Sequence, residues 1–324
     1  MDKIDSVSRK QDYMDKIDSV NRKQNYMDKI DSVDRMQEYI VSNLDDVKLD
    51  DLCVAAGYSK YHAVRMFKEV TGVTPYGYIR ALRLTRAAEG LRDTGGKIID
   101  AALQSGFGSH DGFTRAFTRQ FNITPMRYSR ETPPIRYFIH NSVGSYYHYL
   151  ENGEKKMQNE KVSRTVTVTA VERKARKLVL LRAKEAADGD YFAYCEEMGC
   201  DWEGVFNSIA EKLAPAAILT LPPNLVAPGT SNSASGVEVP ADYAKPVPQG
   251  YDVIDLPPCK MLFFNGTPYE NEEDFCIAID IVYDAVEGYN PALYGWQASP
   301  ELAPRFNFGA EGPLGARMAI PVAL

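Results

Sequence analysis

The sequence predicts a multidomain chain, an all-α part built from two helix-turn-helix units followed by a duplicated α+β part. Three observations predict it. The stretch "AAGYSKYHAVRMFKEVTGVTP" from Ala55 returns in kind as "SGFGSHDGFTRAFTRQFNITP" from Ser105. Beyond Thr165 the apolar period changes from helical to alternating. Charge divides the same way: Tyr58 to Arg136 holds 13 Lys and Arg against 6 Asp and Glu, a net of +7, whereas Thr165 to Leu324 holds 11 against 22, a net of −11. The boundaries expected are an extension over 1–26, a helical domain over 27–136, a linker over 137–164 and an α+β domain over 165–324.

Composition sets the outer limits. With 44% apolar and 25% charged residues over 324 positions, the chain has the make-up of a folded globular protein with room for two cores. Charges recur through the opening residues without an apolar run, which excludes a secretory leader. No stretch approaches the roughly 18 apolar residues of a membrane span, so a cytoplasmic protein with no membrane partner is expected. The five cysteines, Cys53, Cys195, Cys200, Cys259 and Cys276, have no C-x-x-C spacing and read as reduced, packed thiols; Cys195 and Cys200 lack the spacing of a redox or zinc pair.

The chain opens on three near-copies, "MDKIDSVSRKQDY", "MDKIDSVNRKQNY" and "MDKIDSVDRMQEY", starting at Met1, Met14 and Met27. A 13-residue shift rotates the apolar stripe by about 220° beyond whole turns, which argues against a long coiled coil. The third copy runs on into "IVSNLDDVKLDDL", so a first helix is expected from Asp28 to Leu44, with Ile30, Val33, Ile40 and Leu44 inward. A short helix at Leu49 then ends at Gly57, and Ser59 caps the next, which turns Ala63, Met66, Phe67 and Val70 inward and Lys60, Tyr61, Val64, Arg65 and Lys68 outward. A long helix starts at Thr74-Pro75 and stops at Gly95-Gly96. The pattern then restarts: a short helix at Ile98, a turn at Gly106, and a helix capped by Ser109, with Phe113, Ala116 and Phe117 inward and His110, Asp111, Thr114, Arg115 and Thr118 outward.

A short helix, a glycine turn and a capped helix with an arginine-bearing face suit the major groove of duplex DNA. Two such units joined by a helix of about 19 residues, about 28 Å long, could reach two grooves one turn of duplex apart, about 34 Å. Arg65 and Arg115 suit bidentate contact with guanine, while Lys60, Lys68, Arg80, Arg119 and Arg127 suit phosphates.

At "GYSKYHAVRMFKEVTG", "YIRALRLTRAAEGL" and "GFGSHDGFTRAFTRQFNITPMRY" the chain resembles the DNA-binding domain of AraC/XylS-family transcriptional regulators, Rob-type activators above all. The resemblance covers Asp28 to Arg130. It implies base-facing positions at Tyr61, Val64 and Arg65 in the first unit and at His110, Asp111, Thr114 and Arg115 in the second. It also implies double-stranded DNA and RNA polymerase as partners, with no cofactor. Val64 stands where relatives carry a hydrogen-bonding amide, and Asp111 and Gly112 replace neutral residues.

In the second half, "RTVTVTAVERKARKLVLLRAK" reads as two strands, "DWEGVFNSIAEKLA" as a helix and "AAILTLP" as a strand, and "YDVIDLPPCKMLFFNG", "EEDFCIAIDIVYDAVE", "RFNFG" and "ARMAIPVAL" repeat that order. Two such units leave a cleft between them. "GVEVPADY", "PQGYDVIDLPPCKMLFFNGTPY" and "MAIPVAL" resemble GyrI-like effector-binding domains. That resemblance implies a cleft for a small hydrophobic effector, aromatic or cationic, with Trp202, Phe206, Tyr251, Phe263, Tyr269 and Trp296 as aromatic candidates and Glu238 and Glu301 as acidic ones.

All four histidines, His62, His110, His140 and His148, precede the α+β half, and G-x-S-x-G, H-E-x-x-H and P-loop patterns are absent from the sequence. The expected function is therefore a ligand-controlled transcriptional regulator and not an enzyme. The alternative is a GyrI-like hydrolase or drug-sequestering domain fused to a DNA-binding one.

Overall fold

The structure is a computed structural model that describes residues 26–95, 98–143, 165–271 and 274–323. The first two tandem copies, almost all of the expected extension and most of the expected linker lie outside the described residues. The described residues divide into two compact units, one comprising 26–83 with 142–143, the other 84–141 with 165–323.

The first unit is helical. Helix α1 (26–42) buries Ile30, Val33, Met36 and Ile40 at the expected helical spacing. Helix α2 (Leu49–Ala56) ends where Gly57 adopts a left-handed φ of 72°, a conformation open to glycine at no steric cost. Helix α3 (Lys60–Thr71) follows. Ser59 precedes it in extended backbone, but its side chain makes no capping hydrogen bond, so the expected cap is present in backbone conformation only. Helix α4 (Pro75–Thr94) begins in this unit. Gln37 on α1 donates to the Tyr78 hydroxyl on α4 at 3.0 Å, a buried bond, and the Arg83 guanidinium donates to the carbonyls of Leu44 and Asp45 at 2.8 and 2.9 Å.

The second unit takes up the rest of α4, helices α5 (Ile98–Gln104), α6 (His110–Phe121) and α7 (Pro125–Glu131), and an antiparallel eight-stranded sheet with its own helices. Here the predicted Ser109 cap is made, its hydroxyl accepting from the Gly112 N–H at 3.1 Å, and Thr124 caps α7 by accepting from the Arg127 N–H at 3.3 Å. Phe113, Phe117, Phe121 and Tyr128 pack with Leu84, Ala88 and Leu91 of α4 into one aromatic core.

The strands are β1 (Thr167–Arg173), β2 (Arg176–Arg182), β3 (Ala217–Thr220), β4 (Ser233–Pro240), β5 (Tyr251–Leu256), β6 (Cys259–Asn265), β7 (Arg305–Glu311) and β8 (Gly315–Val322), in the order β1-β6-β8-β7-β3-β4-β2-β5. Helices α8 (Tyr191–Met198), α9 (Glu203–Asn207) and α10 (Phe275–Glu287) complete the unit. Strands β1 and β2 are consecutive but do not pair. β1 lies on β6 with Val168 opposite Phe264, and β5 lies on β2 with Val253 opposite Val179. Alternation along β2 sends Val179 to the face covered by α8 and α9, and Leu178 and Leu180 to the other. The second half behaves likewise: Leu262 and Phe264 lie under α10 while Met261 faces away.

Residues 132–141 join the helical and sheet parts of this unit as an extended strap. The Tyr137 ring sits in the aromatic core, its hydroxyl 2.9 Å from that of Tyr128, while its backbone N–H donates to the Gly204 carbonyl on α9 at 3.1 Å. Ile135 N–H donates to the Ser208 hydroxyl at 3.0 Å, Phe138 N–H to the Thr85 hydroxyl of α4 at 2.9 Å, and Arg92 of α4 donates to the Asn207 carbonyl at 2.8 Å. The approach at α9 needs glycine, because a Cβ on Gly204 would lie 2.5 Å from the Tyr137 carbonyl oxygen.

Gly204→Ala should therefore lower unfolding stability by about 1–3 kcal/mol in urea titration. Gly90→Ala, on an exposed turn of α4 with open space around the added Cβ, should raise it by about 0.4–1 kcal/mol.

Candidate functional site

Helix α3 is built by burial on one side only. Ala63, Met66 and Phe67 are buried, Phe67 meeting Tyr78 edge to face at 5.3 Å, which fixes how α3 presents its other side. On that side Lys60, Tyr61, Arg65 and Lys68 are exposed, Tyr61 by 79%, and Val64 is half-buried. Lys60 faces Asp50 at 3.2 Å in an exposed pair of little energetic weight. Among the described residues Arg65 enters no ion pair.

Helix α6 repeats the scheme. Phe113, Phe117 and Phe121 are buried, and His110, Asp111, Arg115 and Arg119 are exposed. Arg115 likewise enters no ion pair among the described residues. Asp111 lies 3.7 Å from His110 Nδ1. Thr114 differs from its expected outward position: it is half-buried, and its hydroxyl oxygen is buried without a hydrogen-bond partner among the described residues.

The eight C-terminal candidates fall on both faces of the sheet. Trp202, Phe206 and Tyr251 belong to the core under α8 and α9, joined by edge-to-face contacts of 6.3 and 5.5 Å, and Phe206 is wholly buried. Tyr269 and Trp296 pack on the core under α10, with the Lys260 ammonium 4.4 Å above the Trp296 ring. Glu301 is exposed on a 3₁₀ turn, and its backbone carbonyl accepts from Asn224 at 2.9 Å.

Phe263 and Glu238 lie on the face opposite α8, α9 and α10, against which the 3₁₀ turns Pro223–Leu225 and Pro300–Leu302 set Leu225 and Leu302. There Phe263 stacks on Phe308 at 6.0 Å and Phe308 on Phe306 at 5.7 Å, making a three-ring row across β6 and β7. The Arg173 guanidinium lies 5.5 Å over Phe263 and that of Arg317 4.7 Å over Phe308. Glu238 is buried and paired twice, with Arg176 in a short charge-assisted hydrogen bond and with Arg173 at 3.4 Å. Arg176, Arg173, Arg317 and Phe308 are missing from the sequence expectation. The alternation in "RFNFG" puts Phe306 and Phe308 on one face and was the available signal. Among the described residues no cluster of three or more His, Cys, Asp or Glu could hold a metal, and no helix is long and apolar enough to cross a membrane.

Comparison with known proteins agrees with the helical part. The helix-turn-helix domain family matches residues 52–131, which include α3 and α6 whole. The regulatory protein SoxS of Escherichia coli K12 is 43% identical over 82 residues, 25% of this chain and 77% of SoxS. The TetD protein of transposon Tn10, from Escherichia coli, is 49% identical over 92 residues, 28% of this chain and 67% of TetD. The chain belongs to the AraC family of transcriptional regulators. The transcriptional regulator Rob of Salmonella typhimurium is 47% identical over 98 residues, 28% of this chain and 34% of Rob. The match thus spans about a third of the length of Rob.

Removing one partner from the Glu238 cluster leaves buried guanidinium charge uncompensated. Glu238→Ala should cost about 3–5 kcal/mol of unfolding free energy by urea titration, far more than Glu301→Ala on its exposed turn.

Proposed function

We propose that this AraC-family chain is a sequence-specific DNA-binding transcriptional regulator whose C-terminal sheet domain binds a small aromatic effector. The observation that carries the DNA reading is the pairing of α3 and α6. Each is a capped or glycine-bounded helix that buries one apolar side, Ala63, Met66 and Phe67 in α3 and three phenylalanines in α6, and leaves an arginine, Arg65 or Arg115, exposed and without an ion pair among the described residues. A guanidinium in that position is free to make a bidentate contact with guanine O6 and N7. Tyr61, Val64, His110 and Asp111 flank these arginines along the outward faces, while Lys60, Lys68 and Arg119 supply charge for phosphates. The carboxylate of Asp111 opposes phosphate approach, so the second unit is the weaker reader. The reading takes RNA polymerase as protein partner and assigns the chain no cofactor and no catalytic step.

For the sheet domain the proposal is a GyrI-like duplication. Its support is the strand order, in which β2, β4 and β3 on one side correspond to β6, β8 and β7 on the other, with β5 and β1 exchanged onto the opposite halves. The effector surface proposed is the half-buried ring pair of Phe263 and Phe308, which stacks on the buried Phe306. Its charge decides the ligand class. Glu238 is already neutralised by two arginines, while Arg173 and Arg317 stand over the rings, so a planar carboxylate fits this face better than a planar cation. Occupancy biases the second helix-turn-helix unit through the strap at 132–141, whose backbone is shared by both parts.

Two measurements test this. In footprinting and affinity titrations at fixed salt, Arg65→Ala and Arg115→Ala should each lose about 1–3 kcal/mol of discrimination, at different half-sites; equal losses on every sequence would place both side chains on phosphates. In thermal denaturation a planar aromatic carboxylate should raise the melting point of the wild type and not of Phe308→Ala, the gain reaching about 2.7 kcal/mol at a hundredfold excess over Kd. Stabilisation by planar cations alone would contradict the charge argument.

A further inference from the structure

A bulge in the sheet singles out one basic group beside the ring pair. Between the register pairs Asn307–Met318 and Ala310–Ala316, two residues of β7, Phe308 and Gly309, stand opposite one residue of β8, Arg317. Gly309 takes the extra place at a left-handed φ of 73°, its N–H donating to the Asn307 side-chain oxygen at 2.9 Å. Phe308 is thereby set beside Arg317, whose guanidinium lies 4.7 Å from the ring centroid. On the other side of β8, Asn265 is the register partner of Arg317 and Phe263 that of Ala319. Ala319 also faces Phe306 across β7, so the middle strand puts only a buried methyl group between the phenylalanines of its two neighbours. That small residue lets Phe263 and Phe308 stack across it.

The basic groups of this face are not equivalent. Arg176 is buried, pairs with Glu238 and donates to the Pro257 carbonyl at 2.9 Å, and Arg173 lies 3.4 Å from the other Glu238 oxygen. Arg317 is half-buried and enters no ion pair among the described residues. Strands β6 and β8 hold no acidic residue, and Glu172 of β1 faces the opposite side, paired with Lys260 at 3.6 Å. A guanidinium drawn partly out of water without a carboxylate keeps a fork of donors whose spacing matches one carboxylate. The Asn265 amide next to it reaches the Phe263 and Thr167 carbonyls only at 3.4 and 3.5 Å, and presents a further donor on the same side.

We propose, on the reading of the ring pair as the effector surface, that Arg317 is the residue that selects the ligand. It receives the carboxylate of a flat aromatic acid packed against Phe263 and Phe308, the Asn265 amide donates to the same group, and Arg173 stays with Glu238. Preference for an acid over a neutral molecule of the same shape therefore resides in one side chain, and affinity for the ring resides in the phenylalanines.

The test uses the full chain and two probes of one shape, 2-naphthoate and its neutral amide 2-naphthamide, in calorimetric titration at fixed salt. The wild type should bind the naphthoate about tenfold or more tightly than the amide, as a charge-assisted hydrogen-bonded pair implies. Arg317→Gln should lose that preference while binding the amide within about twofold of the wild type, and Arg317→Lys, with the charge but not the fork, should fall between the two. Phe308→Ala should weaken both probes together. Should Arg317→Gln melt well below the wild type without ligand, Arg317→Lys decides, by a reduced preference with amide binding retained. An undiminished preference in the Arg317 variants, with both probes weakened by Phe308→Ala, would overturn the role of Arg317 and leave the effector surface standing. A wild type that binds neither probe, or binding untouched by Phe308→Ala, would overturn the effector surface and the role of Arg317 with it.

Discussion

The constraint on which the rest depends is the double use of Tyr137. Its ring fills the aromatic core of the second helix-turn-helix unit, and its backbone N–H is bonded to Gly204 in the sheet domain. One residue cannot serve both parts unless they are held together, and the neighbouring bonds from Ile135, Phe138 and Arg92 repeat the constraint on either side. Several of these bonds involve buried or half-buried backbone groups, which in water-poor surroundings are costly to leave unmade. The strap therefore acts as a seam, and the compact division of the chain falls inside α4.

Much of the helical half was legible because its signals are local. The glycines at 57 and 106 take left-handed φ values of 72° and 71°, Ser109 caps α6, and the apolar residues at 3.6-residue spacing are the ones that are buried. The sheet half was legible in its elements and much less in its partners. Alternation tells which face a residue occupies but not which strand lies beside it, so the exchange of β1 and β5 left no trace in "RTVTVTAVERKARKLVLLRAK". Strand β4 escaped notice because seven of its eight residues are buried, on both faces, and show no alternation. The strap, which crosses the expected boundary between 136 and 137, leaves no sequence signal because its decisive contacts are made by backbone N–H groups, which no side-chain pattern announces.

The candidate site divided in the same manner. The outward faces of α3 and α6 follow from periodicity and were found, apart from the Thr114 hydroxyl, whose burial is set by rotamer rather than helix phase. The aromatic residues of the sheet domain could not be assigned to core or surface from type alone, since Trp202 and Phe206 are as aromatic as Phe263 but sit under helices. Glu238 shows the same limit for charge: a lone acid in sequence, it is neutralised in three dimensions by arginines 62 and 65 positions away in the chain.

Together these features describe a chain in which the second helix-turn-helix unit and the sheet domain belong to one compact unit. Native-state hydrogen exchange at rising denaturant tests that claim most directly. The amides of Phe113 and Phe117 in α6 and of Val179 and Val237 in the sheet should converge on one opening free energy and one denaturant dependence. Separate isotherms, with α6 opening at lower free energy while the sheet stays closed, would contradict it.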